Sequence, residues 1–440
     1  MITDNGKLII DDWIIELENG NRLIIKDSFF NKFPKDLEYL DEKNIPKEVK
    51  FTKNRFASED DIVVIYGDEG EGRREKGEGG THFSNPSPFT LLPSTFITNI
   101  DIFASSFFML TCWEEYVNKA RDNHNRFSAK DSLAYKNNFL NRPVVNEYVE
   151  YLWNMLVELG IEQKRKEREY KFVMTHDVDE PLRYFSTYRF IKEIGRDFLK
   201  NGKYLEPFLK MKEFISIKLK LKDDIFNTFD YMLDKEKDAN IKAYYFFMGE
   251  GTSLTYDDNY DINAPFVKNI SKKILSNSNI IGIHPSFNTY NNFKQFVREK
   301  KMIEDAFDIK IDCGRQHYLR FEVPTTWQIW EDSGMKWDST LSYADKEGFR
   351  CGVCYEYSVF NFLTRQKLKL KEKPLIVMEA SFTIYQSHLD LDEILKNIKE
   401  IIDLVKTYNG EFVFLWHNGS FLEDWHKEFY ENILEMAKGK

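Results

Sequence analysis

From Tyr170 onward, short apolar runs alternate with stretches of helical periodicity, and no other property of the chain restricts its fold as tightly. The runs fall at 170–174, 241–248, 280–283, 316–321, 375–378 and 412–416, with a weaker one at 335–337. Most are followed by apolar residues at helical spacing, as at 267–275, 293–307, 326–333 and 391–408. Strands that alternate with helices over about 270 residues argue a parallel sheet with covering helices. That length favours closure into a distorted (β/α) barrel of seven or eight strands. Residues 182–235 are too long for one connection and read as a helical insertion after the first strand.

A chain of 440 residues exceeds one ordinary core, so a second domain is expected. Strand-like runs at 8–10, 13–15, 23–25 and 62–66, then helical patterns at 102–116 and 145–159, give a smaller N-terminal α+β domain. In the second helix Val145, Val149, Leu152, Leu156 and Leu159 mark the packed face. The charged run 162–169 places the boundary, with domains at 1–165 and 166–440. The glycine-rich stretch 67–80 lacks the Lys-Ser/Thr of a phosphate loop and the order of a dinucleotide fingerprint, and reads as a flexible loop.

The net charge of −10, with both signs interspersed, leaves no electrostatic footprint for nucleic acid and on average repels an anionic membrane. The basic segment Lys210 to Lys222 is interleaved with Phe214, Ile215, Ile217 and Leu219 and reads as a solvated amphipathic helix. The first residues lack the basic start and apolar run of a signal peptide, and no stretch reaches the roughly 18 apolar residues of a membrane span. A cytoplasmic location is the expectation. Cys351 and Cys354 have knuckle spacing but no second pair, so the four cysteines read as buried or loop thiols.

In a barrel the C-terminal strand ends converge on one mouth. Those ends carry His176-Asp177-Val178-Asp179, His284, His317 with Arg320, Asp338, Glu379 and His417. Asp177 and Asp179 both turn inward if the chain leaves the sheet there, as Glu180-Pro181 suggests. Two close carboxylates repel unless a cation lies between them, which a divalent metal supplies. His284 precedes a rigid Pro285-Ser286-Phe287 turn suited to presenting an imidazole, and His417 ends the run 412–416 where a catalytic acid would sit.

Together these residues resemble the polysaccharide deacetylase family, carbohydrate esterases of the fourth class. Thr175-His176-Asp177-Val178-Asp179 looks like its first motif, which implies Asp177 as general base and Asp179 as metal ligand. Gly282 to Asn288 resembles the second, which implies His284 as a ligand. Leu319-Arg320-Phe321-Glu322-Val323-Pro324 resembles the third, implying that Arg320 orients the base. Phe414-Leu415-Trp416-His417 is similar to the last, implying His417 as general acid, and Trp337-Asp338-Ser339 stands near the place of the fourth. The N-terminal region looks like an accessory domain of one branch of the family. Asn288 departs from the pattern, because the family's second histidine ligand belongs there. The third ligand is then His317, His176 or Asn288 itself. Strand alternation turns His317 away from Arg320 and His176 away from Asp177, which counts against both histidines.

The resemblance implies a divalent metal, most plausibly zinc, and removal of N-acetyl groups from an amino-sugar-containing carbohydrate, polymer or precursor. Asp338, Glu379, Trp337 and Trp416 are the expected substrate-side residues. Two alternatives stay open: a catalytically impaired carbohydrate-binding barrel, suggested by Asn288, and an amidohydrolase of a small non-sugar amide.

Overall fold

The computed structural model describes residues 12–438 apart from 34, 36, 71, 77–92, 186–189, 192–193, 196–204 and 258–259. The strand expected at 8–10 and the end of the glycine-rich stretch lie outside the described residues. The chain divides into two units. Unit 1 is Met1–Glu169 together with Gly348–Tyr355 and Val359–Leu368, and unit 2 is Tyr170–Glu347, Glu356–Ser358 and Lys369–Lys440. The chain therefore returns to unit 1 twice beyond Glu169.

In unit 1, strands β1 (Trp13–Glu16), β2 (Arg22–Ile25), β5 (Arg73–Lys76) and β6 (Ser94–Thr98) form a sheet in the order β1-β2-β6-β5, while β3 (Lys50–Thr52) pairs with β4 (Ile62–Val64). Helices α1 (Ile102–Thr111), α2 (Trp113–Val117), α3 (Leu133–Lys136) and α4 (Val144–Glu158) complete it. The packed face of α4 runs through Val145, Tyr148, Tyr151 and Met155, not through Val149, which is 44% exposed. The two tyrosines can be buried because their hydroxyls are satisfied: Tyr148 donates to the Val63 carbonyl at 2.7 Å, and Tyr151 meets the Thr98 hydroxyl at 2.9 Å. The return stretch 348–355 is bound in by backbone and charge. Val145 N–H donates to Gly352 O at 2.8 Å, and Arg350 pairs with the buried Glu115 at 2.5 Å. All four cysteines are buried free thiols.

The larger sheet lies mainly in unit 2, with residues 359–361 of one strand and 366–368 of another belonging to unit 1. Its strands are β7 (Lys171–Val178), β8 (Tyr244–Phe247), β9 (Ile280–Ile283), β10 (Cys313–Gly314), β11 (Trp337–Asp338), β12 (Tyr357–Asn361), β13 (Gln366–Glu372), β14 (Val377–Met378) and β15 (Glu411–Leu415). They are joined in the order β12-β13-β11-β10-β9-β8-β7-β15-β14, with the pairs from β13 through β14 parallel where registered. The expected parallel α/β architecture is present. The ladder has nine strands and two ends, so among the described residues hydrogen bonding does not close it into the seven- or eight-stranded barrel expected.

Helices α5 (Leu205–Lys218), α6 (Phe229–Asp238), α7 (Pro265–Ser276), α8 (Phe293–Phe307), α9 (Thr325–Asp332), α10 (Leu391–Thr407) and α11 (Asp424–Ala437) alternate with the strands. Helix α10 shows why such sequence folds this way. Its capping box at Asp390 and Glu393 satisfies free amide groups at the start, and Ile394, Ile398, Ile401, Ile402 and Val405 form one buried row. No described helix is long and apolar enough to cross a membrane.

Strand β7 has two different polar faces. One side carries Val173 into an apolar cluster with Leu319, Ala344, Leu375, Met378, Val413 and Leu415, and the same alternation then presents Thr175 and Asp177. On the other side, His176 is fully buried, with Nε2 2.5 Å from Glu236 Oε1 and Nδ1 2.8 Å from the Trp416 carbonyl. Tyr245 and Tyr430 donate their hydroxyls to the same Glu236 at 2.9 and 3.0 Å. His176 thus ties β7 to α6 and α11 and is turned away from Asp177, which removes it as a metal ligand.

Candidate metal centre

Strand periodicity builds the first part of the site. Asp179 lies one residue beyond β7, so a period of two brings Asp177 and Asp179 to one side without the chain having to leave the sheet between them. His284 follows β9, and its N–H still donates to Phe247 O at 2.7 Å, which fixes its backbone to the neighbouring strand. Strand β10 ends at Gly314, where any side chain would collide with the Ile283 carbonyl.

The region expected as a strand at 316–321 is instead a turn. Residues His317–Leu319 form a single 3-10 turn in which Tyr318 and Leu319 have φ of 61° and 54°. This left-handed kink removes the alternation that counted against His317. Its Nε2 lies 3.6 Å from Asp179 Oδ1, and His284 Nε2 lies 3.1 Å from the same oxygen. One donor atom from each of Asp179, His284 and His317 falls within 4.8 Å of the others, a geometry able to hold a metal ion.

Each imidazole is oriented from behind. His284 Nδ1 lies 2.7 Å from the Arg315 carbonyl, which can only accept, so the proton is on Nδ1 when the ring is neutral and Nε2 offers its lone pair. His317 Nδ1 lies 2.9 Å from Asp257 Oδ1, with the same consequence. Asp257 is itself held by the backbone N–H groups of Phe287, Thr252 and Ser253 at 2.7–2.8 Å. Burial pushes the Asp257 carboxyl up, but His317 and these amides outweigh it and hold it below its ordinary value.

A cation fits these donors. Asp179 Oδ1 and His284 Nε2 are both buried, lie 3.1 Å apart, and have no hydrogen-bond partner beyond each other. Such atoms are costly unless something positive lies between them. Burial would also raise the Asp179 carboxyl, yet the imidazoles of His317, His284 and His417 hold it well below the usual carboxylate range.

Asp177 is paired with Arg315, not with Arg320. Arg315 Nη1 lies 2.9 Å from Asp177 Oδ1, and the rest of this fully buried guanidinium is bound by Thr175 Oγ1, Ser339 Oγ and Ser339 O at 2.8–3.0 Å. Arg320 lies past the 317–319 turn, its guanidinium 4.1 Å from the rings of both Phe287 and Tyr290. It donates to Phe287 O and to Asn288 Oδ1. Asn288 is exposed, with its amide nitrogen on Thr252 O and its Oδ1 on Arg320.

His417 approaches from the last strand. Its Nε2 lies 3.7 Å from Asp179 Oδ2. Its Nδ1 lies 2.5 Å from Glu379 Oε1, an oxygen that also accepts from His417 N–H and from Ser420 Oγ. Burial alone would lower the imidazole, but Glu379 outweighs it and His417 is pushed up to about 10. Glu379 in turn stays below its ordinary value, with His417 overcoming the effect of burial.

The expected substrate-side residues are mostly enclosed. Glu379, Asp338 and Trp416 have no exposed surface. Asp338 is raised to about 7 by burial and accepts from Thr340 Oγ1 at 2.5 Å. Trp416 packs on Phe421, Phe429 and Tyr430 as part of the core. Trp337 is half-buried and meets Tyr244 edge-on at 5.1 Å. Arg315 and Asp257, absent from the sequence reading, are the groups that contact Asp177 and His317.

Residues 9–161 match a family of unknown function, DUF7033. No curated protein matches the chain. Among solved structures the chain is similar to a putative polysaccharide deacetylase from Mycobacterium smegmatis, at 12% identity and a TM-score of 0.40, over 62% of this chain and 86% of that one. It is also similar to a wild-type CE4 family pseudoenzyme from Bacillus anthracis, at 12% identity and a TM-score of 0.29, over 61% and 60% of the two chains. A chitin deacetylase from the fungal pathogen Colletotrichum lindemuthianum aligns at 10% identity and a TM-score of 0.25, over 56% and 86%.

Proposed function

We propose that unit 2 is a divalent-metal hydrolase that removes N-acetyl groups from an amino-sugar-containing carbohydrate. The observation that carries this reading is the buried pair Asp179 Oδ1 and His284 Nε2, which face each other at 3.1 Å beside His317 Nε2 and have no other hydrogen-bond partner. Two imidazoles and a carboxylate suit zinc, which when bound would polarise an amide carbonyl and acidify water. The choice of an amino-sugar amide comes from the motif resemblance around Asp177, His284 and His417.

Asp177 takes the proton from the attacking water, and Arg315 fixes the carboxylate in place for that role. His417 delivers a proton from Nε2 to the departing amine nitrogen. Glu379 binds the opposite ring nitrogen, so it sets the ring orientation and favours the charged imidazole. Arg315 and Glu379 are positioning residues in this scheme.

The test is acetate release from acetylated amino-sugar oligomers and from small acetamides, together with metal analysis of the purified protein. Stoichiometric metal and release from the oligomers are expected. Release from small amides alone would reassign the substrate, and failure of the wild-type protein to take up metal would end the proposal.

A further inference from the structure

The net charge of −10 describes an average that helix α5 does not share. Helix α5 carries Lys210, Lys212 and Lys218 against Glu206 and Glu213, and Lys220 and Lys222 follow just past its end. The helix spans 14 residues, about 21 Å at 1.5 Å per residue. Phe208, Met211 and Ile215 recur at three- and four-residue spacing, so they share one face, and Leu219 continues the row just past the helix end. These side chains are 64%, 43%, 49% and 64% exposed.

The opposite face is the anchored one. Phe214 stacks on Phe190 at 4.0 Å and meets Tyr184 edge-on, and Glu213 accepts from the Tyr184 hydroxyl at 3.1 Å. A solvated amphipathic helix would turn its apolar row inward and its lysines outward. Here the apolar row itself points to solvent. Lys212 and Lys218, three residues before and three after Ile215, flank that row on its two sides.

We infer that α5 lies flat on an anionic lipid surface, with Phe208, Met211, Ile215 and Leu219 entering the boundary of the acyl region and Lys212 and Lys218 at the headgroups. An exposed apolar row bordered by cations has the form of an in-plane membrane helix, to which each nearby lysine adds electrostatic attraction. A second copy of this chain is the less favourable occupant, because a two-fold contact on this face would set lysines against lysines. The inference is independent of the deacetylase reading, since neither metal nor turnover enters it.

Flotation of the full chain with lipid vesicles tests it. The protein should float with phosphatidylcholine vesicles containing roughly one-third phosphatidylglycerol, should bind pure phosphatidylcholine far more weakly, and should be released by salt. The double variant Lys212→Gln, Lys218→Gln should lose about thirtyfold in binding to the anionic vesicles. Phe208→Ser with Ile215→Ser should lose about tenfold or more. Circular dichroism and thermal unfolding of these variants should match the wild type, because all four positions are solvent-facing or charged. No flotation with anionic vesicles, or wild-type binding by the serine variant, would overturn the inference. So would a concentration-dependent dimer that the same serine substitutions abolish.

Discussion

His417 stands between carboxylates of different standing: Nδ1 is hydrogen-bonded at 2.5 Å to the fully buried Glu379, and Nε2 lies 3.7 Å from Asp179, a member of the donor cluster. One contact fixes the ring, and the other faces it toward the site. Glu379→Gln removes the largest of the charges that raise His417 to about 10 and leaves only Asp179 and Asp177 to oppose the downward pull of burial. The basic limb of the pH profile of kcat/KM should then move to lower pH by at least about one unit. The stability consequence has a definite sign. A folded-state pKa near 10 against an ordinary 6.5 stabilises the fold fully below about pH 6.5, and that contribution is lost as pH rises through 10. Thermal unfolding of the wild type should therefore weaken between these limits more steeply than that of the variant.

The donor cluster makes a claim about the third ligand. His317→Ala should weaken zinc binding by more than about a hundredfold, and Asp257→Asn, acting through the His317 ring, by about 10- to 100-fold. Asn288→Ala should leave it within about twofold, because that side chain is spent on Thr252 and Arg320. Competition with a chromophoric chelator reads all three.

The two arginines should separate cleanly. Arg315→Met strands Asp177 as a buried charge and should cost about 3–5 kcal/mol in urea unfolding, with loss of turnover. Arg320→Ala loses its stacking on Phe287 and Tyr290, which is worth about 1 kcal/mol, and should leave the chemistry largely intact.

Asp177→Asn should abolish acetate release while metal content measured by atomic emission stays nearly unchanged, since the donor cluster does not include Asp177. An active variant would dismiss Asp177 as the base.

Trp416→Ala should behave as a core deletion, destabilising the chain by about 3–5 kcal/mol, and Trp416→Phe should cost less. At temperatures where both remain folded, KM should match the wild type. A raised KM in the stable phenylalanine variant would restore a substrate role for the ring.

The sequence announced the positions at or just past the ends of strands four or more residues long. Asp177, Asp179, His284 and His417 each follow an apolar run, and all four lie at or beside the donor cluster. What stayed hidden lies where the strands are only two residues long. Strand β10 is Cys313–Gly314, too short to make a hydrophobic run, so the strand was sought at 316–321 and Arg320 took the place that Arg315 holds. The usable signal was Gly314 followed by Arg315, a residue without a side chain at a close strand approach and then a buried cation. Asp257 carried no local signal, because its partners are a turn of its own loop, the Phe287 amide 30 residues away and a histidine 60 residues away. By sequence Glu379 reads as a substrate-side residue, because position alone does not distinguish a carboxylate that faces the mouth from one folded back under a histidine.

The returns of residues 348–355 and 359–368 to unit 1 have a practical consequence for anyone dissecting the chain. A cut after Glu169 would not liberate a self-sufficient C-terminal fragment. It would leave Arg350 without Glu115, and the Gly352 carbonyl and Cys354 amide without the α4 groups that bind them. Truncations aimed at assaying the C-terminal half alone should therefore be judged for folding before any silence in the assay is read as missing chemistry.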